Sequence, residues 1–284
     1  MRKKIARSKT SVRRKPQKKT SFFAKKYSVL FVLLIFIFGL VYHYRNSLAY
    51  YFSFKSDKVL TNESENKRIS DIRNIQVLEK HQDKVIGIDV SQYQGTIQWN
   101  LVDTLEQKHL LRYVFIRATA GNDKIDSKFA TNWIGAKKAK LIRGAYHYYR
   151  PNENSMEQAK LFIKTVHLQK GDLPPVLDIE KLPKEQSIVN LKIGLKRWLA
   201  LVEAHYKVRP IIYTGENYYD DFLKEEFKDY LFWIANYNFY REEIKEDWLF
   251  WQFTEKATVS GIKGNVDVNI YNGDAEQLGF ITLE

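Results

Sequence analysis

Asp178 and Glu180 stand two positions apart at the end of a short apolar run, Pro174-Pro175-Val176-Leu177-Asp178-Ile179-Glu180. Val176, Leu177 and Ile179 favour an extended strand, and the prolines mark where a loop enters it. In an extended backbone residues i and i+2 face the same way. Both carboxylates therefore project together, while Leu177 and Ile179 point to the other face. Like charge and desolvation then oppose ionising the second carboxyl, which leaves a protonated acid beside an ionised partner. Glycoside hydrolysis needs such a pair: an acid for the leaving oxygen and a negative group to support the oxocarbenium-like centre. Taken alone, D-x-E also describes a solvated strand end with two surface acids, so the weight falls on its surroundings.

From residue 85 onward the chain alternates short apolar runs with amphipathic stretches. The runs at 85–90, 113–118, 141–149, 176–180, 210–214, 231–236, 249–253 and 266–270 predict eight strands. Periodicity predicts helices over 99–110, 127–140, 154–169, 186–206 and 217–230. The last three strands are too close together for full crossover helices. This order predicts an α/β chain: a modified TIM-like barrel of five βα units followed by three further strands. Chemistry in such barrels sits at the carboxyl ends of the strands. The polar groups near the strand ends are Asp89, Arg117, Tyr146 with His147, Asp178 with Glu180, Tyr213, Asn236 with Tyr237, Gln252 and Asp267. Asp89 and Asp267 read equally as loop-capping acids unless the barrel brings them over Asp178 and Glu180. In the run 146–149 alternate members belong to the core, as do some of Trp233, Trp248 and Trp251.

The bulk composition excludes several other chemistries. The chain has no cysteine, which removes disulfides and Cys-based sites. No histidine pair has a metal-ligand spacing such as H-x-x-x-H, no serine sits in a nucleophile elbow, and Gly-rich phosphate loops are absent. The net charge of +13 is concentrated at the start: residues 1–26 hold twelve Lys or Arg and no acid, leaving +1 for the remainder. A nearly neutral body argues against nucleic acid as a partner. The basic tail (1–26) is followed by an uncharged apolar run, read as a transmembrane signal anchor over 27–44. Positive charge before it predicts a cytoplasmic N-terminus and a body outside the membrane. The competing reading is export after cleavage near Ala49. Residues 45–84 are polar and mixed in charge and read as a stalk, with Ile72, Ile75 and Leu78 at helical spacing in its second half. The barrel domain is then 85–284.

Eight separated stretches together resemble the family 25 glycoside hydrolases, the Chalaropsis-type lysozymes. They are G-I-D-V-S-Q-Y-Q-G (87–95), F-I-R-A-T (115–119), R-G-A-Y-H-Y-Y-R-P (143–151), P-V-L-D-I-E (175–180), I-I-Y-T (211–214), L-F-W-I-A-N-Y (231–237), and W-Q-F-T with G-N-V-D-V-N beyond it. The resemblance implies an N-acetylmuramidase that cuts the glycan strands of bacterial peptidoglycan, with no metal or cofactor. By position it implies Glu180 as general acid and Asp178 as the group assisting the substrate's N-acetyl in a retaining neighbouring-group mechanism; a direct nucleophile is the alternative. Asp89 and Asp267 would complete the acidic floor, and Tyr146, His147, Tyr213, Trp233, Asn236 and Gln252 would bind substrate. At Asn236 relatives often carry Gln or Arg. The rival readings are a wall-binding scaffold that has lost the reaction, and a glycosidase acting on chitin-like substrates. The implied location is the bacterial cell envelope, with the catalytic domain on the extracytoplasmic side.

Overall fold

The computed structural model describes residues 31, 33–39, 63–105 and 108–284, the side chains of 63–68 excepted. The expected basic tail (1–26), most of the expected anchor (27–44) and residues 45–62 of the expected stalk lie outside the described residues. Of the anchor run, residues 31 and 33–39 are helical, with exposed apolar side chains such as Phe31 and Phe36. Among the described residues no helix is long and apolar enough to cross a membrane.

All eight expected strands form: β1 (Val85–Val90), β2 (His109–Ala120), β3 (Ile142–Tyr148), β4 (Val176–Asp178), β5 (Ile211–Gly215), β6 (Leu231–Ala235), β7 (Phe250–Ala257) and β8 (Val266–Tyr271). They pair in sequence order from β1 to β8, and β8 closes on β1 to complete a barrel. Strands β1 to β7 run parallel to one another. β8 runs antiparallel to both neighbours, which sets Asp267 directly opposite Asp89.

Strand parity sorts the side chains into two layers. Tyr113, Phe115, Val176, Ile211, Trp233, Phe250 and Tyr271 fill the barrel interior. Ile88, Val114, Ile116, Leu177, Ile179, Ile212, Ile234, Val268 and Ile270 face outward and pack in one layer with helix residues such as Phe162, Leu195 and Trp198. Interior aromatics leave no room at two glycines. A Cβ on Gly87 would lie 2.5 Å from the Tyr113 ring, and one on Gly144 would lie 2.4 Å from the Phe115 ring.

The outer helices depart from the expected plan at two units: the helix expected over 217–230 is cut short at Leu223, and the one expected over 99–110 does not form. β2, β3 and β4 are followed by α2 (Phe129–Lys138), α3 (Ser155–Thr165) and α4 (Ile188–Tyr206), and β5 by the single turn α5 (Glu216–Tyr218), which runs into a π-helical turn, Tyr219–Leu223. After β1 the expected helix over 99–110 is absent. The chain instead makes a 3-10 turn, Trp99–Leu101, and a short strand, Thr104–Leu105, that pairs with the start of β2. Leu105 pairs with His109, and the Leu111 amide donates to Asp103 O at 2.9 Å. Sheet pairing and the burial of Val102 and Leu105 override the helical pattern there.

Within the stretch read as a stalk, Glu63–Lys80 forms one helix, α1, which packs against β7. Val77 and Leu78 enter the outer apolar layer, and the Arg73 guanidinium donates to the carbonyl oxygens of Phe253 and Asn238.

Candidate active site

The carboxyl ends of the parallel strands and the first residues of β8 surround a cleft of about 290 Å³. Asp89, Tyr146, Asp178, Glu180, Tyr213, Trp233, Gln252 and Asp267 all line it. Asp178 is the last residue of β4, and the chain stays extended enough for Glu180 to open into the same cleft while Leu177 and Ile179 are buried in the outer layer. Backbone bonds fix this segment from both sides: Tyr149 N donates to Asp178 O at 2.8 Å, and Ile179 N to Tyr213 O at 3.0 Å.

Beneath the acids lies a chain of neutral hydrogen bonds that converges on Asp89. Its Oδ2 accepts from Gln252 Nε2 at 2.7 Å and from Asn269 Nδ2 at 2.8 Å. Gln252 Oε1 accepts from the Tyr213 hydroxyl at 2.7 Å and from the Tyr237 hydroxyl. Asn269 Oδ1 accepts from Trp233 Nε1 at 2.8 Å. Each amide thereby has its orientation fixed by a donor behind it, and its N–H groups are aimed at one carboxylate. Trp233 is also wedged between Phe115, stacked at 4.4 Å, and Tyr213, edge-on at 4.4 Å.

The four carboxyls hold protons more tightly than free acids do. Burial pushes Asp267 up to about 9, assisted by the charge of Asp89 and a hydrogen bond to it. Burial also raises Asp89, to about 6, while hydrogen bonds from Asn269, Gln252 and Asp267 work against the rise. Near neutral pH this pair holds one proton, on Asp267. Asp178 is raised well above the carboxylate range by burial, then by Glu180 and Asp89, with Arg117 opposing. Glu180 is raised too, by desolvation at the cleft wall and by Asp89, with Lys181 and Arg117 opposing. Asp178 Oδ1 is buried and accepts no hydrogen bond from the described residues.

Arg117 is the cation of the site. Asp126 holds it, at 2.9 Å from Arg117 Nε, and Tyr93 lies against its guanidinium at 4.6 Å. Asp126 is fixed in turn by the amides of Gln92 and Lys128, both at 2.9 Å.

Two expected site residues lie elsewhere. His147 follows Tyr146 on β3, so it points to the opposite face, into the layer between barrel and helices. There it is fully buried, pairs with Thr119 Oγ1 at 2.7 Å and Gln158 Oε1 at 3.0 Å, and stacks on Trp198 at 5.4 Å. Burial lowers it to about 4, so it is a neutral core histidine. Asn236 lies just past the end of β6 and its amide is held by Glu216, in a cluster with Arg241 and Lys245 outside the cleft lining.

Sequence reasoning passed over Asn269 and Glu255, gave no role to Arg117 or Tyr237, and left open which members of the run 146–149, Tyr148 among them, face the site; all of these named residues but Asn269 line the cleft. Parity carried the signal for two of them, because Asn269 shares a face with Asp267, and Tyr148 with Tyr146.

Residues 88–262 match the family model for glycosyl hydrolases family 25. The uncharacterized protein YegX of Escherichia coli K12 is 39% identical over 196 residues, covering 68% of this chain and 71% of that protein. Lysozyme M1 of Streptomyces globisporus is 32% identical over 209 residues, covering 68% of this chain and 70% of its own. Among solved structures, a family 25 glycosyl hydrolase from Bacillus anthracis superposes with a TM-score of 0.63 at 28% identity, over 71% of this chain and 95% of the other. With the same barrel and a sequence match through most of it, this chain belongs to glycosyl hydrolases family 25.

Proposed function

We propose that this chain is a muramidase that hydrolyses the β-1,4 bond between N-acetylmuramic acid and N-acetylglucosamine in bacterial peptidoglycan. The observation that carries the assignment of roles is the asymmetry of the central pair. Glu180 is open to the cleft, where it can reach a glycosidic oxygen, whereas Asp178 is buried beneath it with one oxygen lacking a donor. The N–H of a substrate acetamido group supplies that donor. Binding it stabilises the ionised form of Asp178 and leaves the shared proton to Glu180.

Glu180 then protonates the leaving oxygen as the C–O bond breaks. The acetamido group, held through its N–H by Asp178, attacks the anomeric carbon from the opposite face with its carbonyl oxygen and closes a cyclic intermediate. Water opens that intermediate, giving its proton to the Glu180 carboxylate, and the product retains its configuration. Asp89 and Asp267 form the floor, with Tyr146, Tyr213, Trp233 and Gln252 as walls and supports.

The test uses the full chain and its Glu180→Gln variant on purified peptidoglycan, with reduction and mass analysis of the new ends. The wild type is expected to release muramic-acid reducing ends, and the variant to do so at least about a hundredfold more slowly. Wall binding without new ends from the wild type would transfer the assignment to a scaffold, and cleavage of chitin oligomers in preference to wall would change the substrate.

The proposal extends to location. Twelve cations and no acid in residues 1–26, followed by an uncharged apolar run, support a signal anchor over 27–44 with the barrel outside, among bacterial envelope polymers. Retention of the full-length chain in the membrane fraction, with the barrel accessible to external protease, is the expected result. A soluble chain beginning near residue 50 would instead establish cleavage at the site close to Ala49.

A further inference from the structure

Beside the acidic cleft lies a second cavity, of about 430 Å³, with the opposite electrostatic character. The two share Tyr93, Arg117 and Tyr148 as a common wall. Four cations, Arg117, Lys124, Arg150 and Lys181, line the second cavity, against one carboxylate, Asp126. That carboxylate is already engaged by Arg117 and by the amides of Gln92 and Lys128. Arg150 and Lys124 meet Asp123, at 3.0 and 3.6 Å, and Arg150 meets Glu153 at 3.1 Å, but neither of these acids lines the cavity. Lys181 makes no salt bridge within 4 Å among the described residues; it feels the charge of Glu180 and rests near Tyr148, 5.8 Å from the ring centroid.

The position of this shelf bears on the substrate. Lys181 follows Glu180 directly in the chain, so the cationic cavity begins one residue from the proposed acid. The cleft itself is lined by five carboxyls and repels an anion. A neutral sugar fits across it, while any anionic group that the sugar carries is accommodated next door.

We propose that this cavity binds a carboxylate of the peptide substituent carried by the muramic acid at the cleavage point, which makes the enzyme selective for peptide-bearing glycan over bare glycan. The proposal rests on the muramidase reading above. Phosphate groups of wall polymers share the anionic chemistry, and the experiment separates them from peptide.

Three wall preparations distinguish these sources: one stripped of phosphate polymers with peptides intact, one stripped of both, and one retaining both. Each is offered to the wild type and to the Lys124→Gln/Lys181→Gln double variant; both side chains are exposed, so the substitutions leave the core untouched. The readout is the ratio of kcat/KM between peptide-bearing and peptide-free glycan. The wild type is expected to favour peptide-bearing glycan by about fivefold, the scale of two solvated ion pairs, and the double variant to lose that preference. Retaining the phosphate polymers should leave the ratio unchanged. Equal rates on the two glycans by the wild type, a preference that survives in the double variant, or a preference that follows phosphate would each overturn the proposal. Failure of the wild type to cut any preparation would remove the muramidase reading itself, and this inference with it.

Discussion

Asp267→Asn should make the protein more stable, and by an amount that grows with pH. In the folded barrel Asp267 is pushed up to about 9 by burial and by its neighbour Asp89, whereas an unfolded aspartate titrates near 3.9. A folded-state pKa above the unfolded one gives a contribution that is fully present below about pH 4 and is lost as pH rises toward 9. At pH 7 the wild type must hold a proton that the unfolded chain has released. Three units at about 1.4 kcal/mol each set an upper bound of about 4 kcal/mol. Sharing of the shift with Asp89, and the part of Asp267 that still meets solvent, bring the expected cost to about 2 kcal/mol. Asparagine removes the titration but keeps an N–H that can be offered to Asp89 in place of the acid's proton. For a domain of this size the gain amounts to about 4–8 °C in Tm at pH 7. Thermal unfolding followed by circular dichroism from pH 4.5 to 8 measures it: the two proteins should melt together at pH 4.5 and diverge as pH rises. A gain that is the same at every pH, or a loss at pH 8, would refute the one-proton description of the Asp89–Asp267 pair.

Other perturbations follow from the same geometry. Arg117 lowers the pKa of both Asp178 and Glu180, so Arg117→Gln should carry the alkaline limb of the pH–rate profile to higher pH; a limb that stays in place would separate Arg117 from the acid pair. His147→Gln should keep activity within about threefold, since the ring faces the helices, and should make the protein more resistant to unfolding in acid. Its depressed pKa, about 4 against 6.5, gives stability present above pH 6.5 and lost as pH falls through 4, worth up to about 3 kcal/mol. A hundredfold loss of kcat at unchanged stability would return His147 to the site. Gly87→Ala sets a methyl group 2.5 Å from Tyr113 and should cost about 1–3 kcal/mol in chemical denaturation.

Which parts of the molecule were readable in the sequence follows from the range of the forces involved. The eight strands were legible because alternation along each run is local, and the same alternation decides which residues enter the cleft. Applied to the 146–149 run, it places Tyr146 and Tyr148 inside and His147 outside, so the misassignment of His147 came from grouping neighbours that a strand must separate. The helix expected over 99–110 was not legible, because what displaced it is pairing with β2 and burial of Leu105, neither of which leaves a periodic trace. Asn236 followed the strand-end rule, but past the end of β6 the chain no longer obeys parity, and an ion pair network around Glu216 captures the amide.

Asp267 shows how topology converts an ordinary position into a functional one. It lies near the amino end of its strand, where the rule for parallel barrels would place it on the face away from the chemistry. Only the reversal of β8 brings that end up beside the carboxyl end of β1, opposite Asp89. The reversal also turns Asn269 inward, one pleat below, where it donates to Asp89 and accepts from Trp233. One antiparallel strand thus supplies both the partner that shares Asp89's proton and a donor that stabilises its charge. A parallel strand in that place would present its other end, Tyr271, at the cleft, and the acid cluster would lose a member and its support together.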